Sequence, residues 1–563
     1  MSSDISAAGE IPAPPPGAPP ATAVPARAVP ATAAAAAAAA AAPTATGAVP
    51  PAAAAGSRGS TPAGPADRTG RRLIWLAWAG IGIAIVITVA VSLVRGGWMR
   101  PPLVMPAGGP PWELPVRHVS ADVITYLLWF AAVASAGGVV AGLLAVRRGV
   151  RLNARLLLII GLITAAVLTV LPPAGSTDPL DYATYGRLLL LGHSPYVYTP
   201  HYLRHLHDAF AQSIPLIWSK YVSVYGPLAT MEQLLAAKLG GSSPALIVFW
   251  LKLWNSAGFA AVAVAIHRLL RADPAQRLRG HLLWTLNPLL LWDLVESGHV
   301  DVLAAAAGLF GLLMLGRQAH GERPGLARVL AAGVLLGVAA DIKINYALFG
   351  LGAAWALRRY PAALAAAGAA ALAVLVPSYA YFGWPAVKAL LGRRDSASAD
   401  NFYRLILPTY HLVGIVAAVL VIAMAVLALR RFPPGDPARP AIRPTVALAA
   451  AWLFLWPYQL PWYDAMIICV LVLYPATRLD WLVLARLTAG TIANMPGNPL
   501  LPHGHVLSLL DHLAIRAVAP LVILGAAVGL VVLCWSGRWN PKDPADPPPA
   551  TPSADEVLVP ATG

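Results

Sequence analysis

The chain has 563 residues, 58% of them hydrophobic and only 12% charged, with a mean hydropathy of +0.66; this excludes an ordinary soluble enzyme and places the chain among polytopic membrane proteins. Its net charge of +15 does not mark a nucleic-acid binder, because the basic residues stand as short clusters between apolar runs and form no single stripe. The two cysteines, Cys469 and Cys534, lie inside apolar runs, which excludes a disulfide framework or a cysteine metal site.

Residues 1–70 form an Ala/Pro-rich tail with an alanine tract near Ala33–Ala42. It has too few bulky apolar side chains to offset the entropy of ordering, so a disordered cytoplasmic tail is expected. No basic n-region with an early apolar h-region opens the chain, so the first apolar run is expected to be retained as a span. That run, Leu73–Val94, follows Arg68, Arg71 and Arg72. At ~1.5 Å per residue it is long enough to cross ~30 Å of hydrocarbon.

Further apolar runs extend from Ala121–Val146 to Ala514–Cys534. Several fall short of the ~20 residues of a crossing helix, so an all-α fold with about 12–14 crossings is expected over residues 71–538. A Pro/Asp-rich cytoplasmic tail, 539–563, closes the chain. With the N-terminus inside, the clusters Arg147/Arg148/Arg151/Arg155, Arg268/Arg271/Arg277/Arg279, Arg358/Arg359 and Arg430/Arg431 all fall in cytoplasmic loops, as the positive-inside bias requires. Asp178, Asp181, His299, Asp301, Lys343, Trp462 and Tyr463 then fall at the outer face. Arg393, Arg394 and Arg404 also lie outside, against that bias, and so are expected to answer an anionic partner such as a lipid phosphate.

The stretch Thr177–Pro200 carries the densest chemistry. Asp178-Pro179 reads as a helix start, and Asp181 completes something like a capping box. Beyond the cap, Asp181, Tyr182, Tyr185 and Leu189 share one helical face, and Arg187 precedes a Gly192-His193-Ser194-Pro195-Tyr196 turn. An active-site helix at the outer surface fits this pattern; an amphipathic interfacial helix gives the same stripe without catalysis. Further along, Glu296, His299 and Asp301 suit a hydrogen-bonded helix end, a divalent metal, or a donor to a phosphate oxygen or sugar hydroxyl. No metal is assigned. Lys343 is a snorkelling lysine or a functional one, and Trp462 and Tyr463 belong to an aromatic belt or stack on a sugar.

Taken together, Asp178-Pro-Leu-Asp-Tyr182-Ala-Thr-Tyr-Gly186-Arg187 and Gly192-His-Ser-Pro195-Tyr196 resemble the first extracytoplasmic loop of polyprenyl-phosphate-mannose-dependent glycosyltransferases of the GT-C class. Asn287-Pro288-Leu with Gly298-His299-Val-Asp301 resembles that family's Asn-Pro-Leu and Gly-His-x-Asp motifs, and Lys343 its small-residue helix ending in lysine. The resemblance implies transfer of a sugar, mannose in that family, with inversion, from a polyprenyl-phosphate donor to a cell-envelope glycan or lipoglycan acceptor. It implies a multi-pass cell-membrane enzyme with an extracytoplasmic site and membrane lipid around it; the sequence assigns no cofactor and leaves a divalent metal open. Asp178 matches the acidic position and is the first candidate for the base, Asp181 the second. Tyr182, Arg187, Tyr196, His299, Asp301, Lys343, Arg393, Arg394, Arg404, Trp462 and Tyr463 are the substrate-binding candidates. A transporter or flippase of a lipid-linked substrate is the rival from another class; it expects internal repeats and midplane charges, which the sequence does not display.

Overall fold

The computed structural model describes residues 68–94, 109–114, 119–215, 218–316, 325–392, 397–406, 410–495 and 504–540, all within one compact unit spanning Ala63–Gly563. The expectations for the tail before Arg68, for residues 541–563, and for Arg393 and Arg394 lie outside the described residues. Every regular element among those described is a helix.

Six helices are long and apolar enough to cross a membrane: Arg68–Leu93 (α1), Ala121–Arg147 (α2), Pro244–Leu269, Pro361–Phe382, Leu412–Arg431 and His505–Ser536. Their outward faces are apolar: Leu372, Val376, Ile415, Val419 and Ile422 are each more than half exposed. Such surface is costly in water at roughly 25 cal/mol per Å² and costs nothing against lipid tails. The protein is therefore a polytopic all-α membrane protein. The expected 12–14 crossings treated each apolar run as one span, whereas the structure shortens or breaks several of them. Ala154–Thr169 (α3), Ile344–Leu357, Ile442–Leu455 and Pro461–Leu471 are shorter apolar helices, and Pro274–Glu296 and Asp301–Met314 are two arms bent by 113°, a seventh span if counted as one.

Two breaks in this region follow from the sequence, the first inside the Pro274–Glu296 arm and the second at the bend. Pro288 has no N–H to continue a helix, and Asn287 caps the restart, its Oδ1 accepting from the Leu289 N–H at 3.1 Å. That arm ends at Glu296, and the bend itself is made where Gly298 turns the chain at φ +66°, a conformation that glycine adopts without steric cost. The Gly298 carbonyl accepts from Asn255 Nδ2 at 2.8 Å, tying the turn to the Pro244–Leu269 helix. Both motifs singled out in this region are thus the two breaks of a folded-back span.

At the chain ends, α1 begins at Arg68, so Arg68, Arg71 and Arg72 occupy its first turns. Trp539, expected at the start of a tail, is instead buried edge-on against Phe432, and its carbonyl accepts from the Arg478 N–H.

Candidate active site

The segment that leads from α3 into the helix Asp178–Leu190 (α4) is held by two buried side chains, Lys252 and Glu296. Lys252 Nζ donates to the carbonyls of Leu168 and Leu171 at 2.7 and 2.6 Å, closing the end of α3. Glu296 accepts from the Ala174 and Gly175 N–H groups and from the Ser92 and Ser297 hydroxyls, which anchors the segment leading into α4. Glu296, His299 and Asp301, grouped in the sequence as one metal-capable cluster, therefore point to three different sets of partners.

The expected capping role of the two aspartates is not formed. Thr177 is the N-cap residue and makes no side-chain cap bond; the Asp178 N–H instead donates to Ser176 Oγ at 3.1 Å. Pro179 packs on the Gly298 turn, where a Cβ would lie 3.2 Å from its Cγ. This packing sets the first turn of α4 against the His299 segment, and Asp178 Oδ2 lies 3.6 Å from His299 Nε2. Asp181, 3% exposed, has no hydrogen-bond partner on either carboxyl oxygen among the described residues. Burial first, and the charge of Asp178 second, push its carboxyl well above the usual carboxylate range. Most of α4 is buried all round, unlike a helix lying flat on a surface.

His299 is fixed from two sides. Its ring stacks on Trp462, with centroids 3.6 Å apart and planes 11° from parallel, and its Nδ1 hydrogen-bonds the Asp293 carbonyl. A carbonyl only accepts, so Nδ1 carries the proton in the neutral ring and Nε2 is left facing Asp178.

Asp301 and Lys343 form a buried ion pair, with Nζ 2.6 and 2.8 Å from the two carboxylate oxygens. The Tyr346 hydroxyl donates to the Asp301 carbonyl at 3.0 Å, and Nζ sits 3.8 Å from the Tyr463 ring centroid. Lys343 is presented by the end of the Leu326–Ile342 helix, against which Tyr225-Gly226-Pro227 is pressed. A Cβ on Gly226 would fall 1.3 Å from the Asp341 carbonyl oxygen, so only glycine fits. Asp341 Oδ1 accepts from the Leu228 N–H at 2.8 Å. The turn thereby places Tyr225 edge-on against Tyr182, with a hydroxyl–hydroxyl hydrogen bond of 3.1 Å. Burial drives both phenols well above their ordinary range, so both remain neutral donors.

These groups surround one cavity of about 250 Å³, lined by Asp178, Asp181, Tyr182, Tyr225, Lys343 and Tyr463 and walled by Trp218, Trp452 and Trp456. Two carboxyls, five phenols and an ammonium among indole faces form a pocket that can hydrogen-bond a small polar molecule. His299, stacked on Trp462, lies behind Asp178.

The other predicted residues lie elsewhere. Arg187 pairs with Asp208 at 2.8 Å and donates to the Gly241 carbonyl. The Tyr196 hydroxyl donates to the Tyr225 carbonyl and meets Thr230 Oγ1, both at 2.8 Å. Tyr196 also lines a second cavity of about 680 Å³ with Tyr221, Trp384 and Lys388; Val222 and Val224 border both cavities. Arg404, on the short helix Tyr403–Ile406, lines neither cavity. Sequence reasoning missed Lys252 and the buried pair Arg486–Asp464, whose guanidinium also bonds the Leu453 carbonyl and Gln459 and holds the segment bearing Trp462 and Tyr463. An ionisable residue inside an apolar run was the available signal in each case.

Residues 77–359 match the model of the MptA_B family, described as alpha-(1->6)-mannopyranosyltransferase, N-terminal domain. Over 164 residues the chain is 28% identical to a protein of Mycolicibacterium smegmatis named as a probable alpha-(1->6)-mannopyranosyltransferase, an alignment covering 29% of each protein. The chain thus spans about three tenths of the length of the curated relative it matches. No solved structure matches. The family match includes α4, the Gly298 turn and Lys343, and stops before Trp462 and Tyr463.

Proposed function

The chain belongs to the alpha-(1->6)-mannopyranosyltransferase family, and from that premise we propose that it is a membrane glycosyltransferase moving mannose, with inversion, from a polyprenyl-phosphate donor to a cell-envelope glycan or lipoglycan acceptor. The observation that carries this reading is that Asp178 and Lys343, from distant parts of the chain, line one cavity. The acceptor hydroxyl oxygen attacks the anomeric carbon, and the bond from that carbon to the phosphate oxygen breaks with its electron pair leaving on the phosphate. Asp178 takes the hydroxyl proton. His299, its ring set by the Asp293 carbonyl and Trp462, borders the Asp178 carboxyl, with Nε2 3.6 Å from Oδ2. Lys343 has three N–H groups, of which Asp301 occupies two; the third serves the departing phosphate. The Tyr182 hydroxyl, which accepts from Tyr225, donates to a sugar or phosphate oxygen.

The arginine clusters assigned to cytoplasmic loops support an extracytoplasmic cavity with both termini inside. A donor on a lipid tether suits a protein whose outward surface is apolar over most of its length. Membranes carrying the protein should transfer labelled mannose from a polyprenyl-phosphate donor to a glycan acceptor, and Asp178→Asn should lower the rate by at least about 100-fold, the worth of general-base catalysis. Full activity in Asp178→Asn would remove the assigned base.

A further inference from the structure

Asp178 and Asp181 lie one turn apart on α4 and line the same cavity, yet their surroundings differ. Asp178 keeps 14% of its side chain exposed and faces an imidazole nitrogen at 3.6 Å. Asp181 is 3% exposed, and neither of its oxygens has a hydrogen-bond partner among the described residues. A buried, unpaired carboxylate is among the costliest groups a protein can hold. The cation lining the cavity does not relieve it, because Lys343 bonds the two oxygens of Asp301 and neither of Asp181, and Asp178 on the same helix adds a like charge. A protonated carboxyl has one O–H to give and a carbonyl oxygen that accepts, and a pyranose hydroxyl meets both needs.

We infer that Asp181 is a specificity-determining residue that binds hydroxyls of the transferred sugar as a neutral carboxylic acid, leaving proton acceptance to Asp178 alone. Asp181 has this role only if the chain is the transferase described above. Burial and the Asp178 charge both raise the Asp181 carboxyl, which agrees with the geometry. Tyr182 and Tyr225, which line the same cavity, are themselves held neutral by burial and bring no charge to offset. A site that pairs with a substrate hydroxyl discriminates strongly against the analogue lacking it, because its own polar group is then left unpaired.

The test compares three variants in one membrane assay, using a polyprenyl-phosphate-mannose donor and a set of donors each lacking one ring hydroxyl. Asparagine keeps a donor and an acceptor without charge, so Asp181→Asn should retain transfer within about tenfold of wild type, while Asp178→Asn loses at least about 100-fold. Asp181→Leu should lower kcat/KM by about 10- to 100-fold, and the penalty that wild type shows against one deoxy donor should collapse in it. If Asp181→Leu does not fold, judged by its elution as a monodisperse species in detergent, the contrast between the two asparagine variants decides. A wild-type protein that transfers no sugar overturns the transferase reading and this role with it. A wild-type protein that transfers while Asp181→Asn falls as far as Asp178→Asn overturns the neutral-acid role alone.

Discussion

Lys343→Met should leave Asp301 as a fully buried carboxylate stripped of both of its ammonium contacts, at 2.6 and 2.8 Å. Breaking a buried pair from one side costs about 3–5 kcal/mol, because the remaining charge has no water to return to. That is a large share of the roughly 5–15 kcal/mol that holds a typical protein folded. Removing both charges together, in Lys343→Met/Asp301→Leu, should recover most of the loss, since an apolar pair of similar size does not pay the desolvation cost of two ions. Titration of the detergent-solubilised protein with denaturant, followed by far-UV circular dichroism, reads both effects. The double variant then separates stability from chemistry: it should be nearly as stable as wild type and still deficient in transfer, because the third Lys343 N–H is gone. A single variant that loses less than about 1 kcal/mol, or a double variant no more stable than the single, would refute the buried-pair account. A stable double variant with full transfer would remove Lys343 from the leaving-phosphate role.

Gly226→Ala should disturb both stability and transfer, since its Cβ would overlap the Asp341 carbonyl at 1.3 Å and push back the backbone that presents Lys343; a cost of about 1–3 kcal/mol or more is expected, and a wild-type denaturation midpoint would contradict the close approach. For Asp181, the folded pKa is raised, so the folded state binds more protons than the unfolded state above the unfolded value of about 3.9. Its contribution to stability is complete below that pH and is lost as pH rises toward the folded pKa. The stability of Asp181→Asn relative to wild type should therefore improve as pH rises through that window, and a pH-independent difference would show that the carboxyl is not held neutral. Arg187→Ala should weaken the fold by about 1 kcal/mol through loss of the partly exposed Asp208 pair; a donor KM raised more than tenfold at normal stability would instead return Arg187 to the binding site.

Much of the site was legible because its chemistry contradicts its surroundings. Asp178, Asp181, His299, Asp301 and Lys343 stand beside apolar runs, where a charged group survives only with a partner or a purpose. Tyr182 and Tyr463 also reached the cavity, whereas Arg187 found Asp208. The sequence spacing could not separate those outcomes, because a helix face states which residues share a side and not what lies opposite. The capping interpretation of Asp178-Pro-Leu-Asp181 failed for the same reason: Ser176 took the Asp178 N–H and the Gly298 turn took Pro179. Lys252 and Arg486 passed unnoticed because their work is to bind backbone carbonyls of other segments, a role with no local pattern.

What the sequence by itself determined is the solvent and the alphabet: runs of apolar residues require helices in lipid, since no water is present to satisfy an open backbone, and Pro288 and Gly298 break one of them. Only the tertiary structure decided which ionisable groups are paired. Asp301 is bonded to Lys343 across 42 positions, Glu296 to a segment more than 120 positions earlier, and Asp181 to no other residue among those described. Pairing is a matter of distances in space between segments far apart in the chain, and in a medium of low dielectric those distances settle the charge each group can carry.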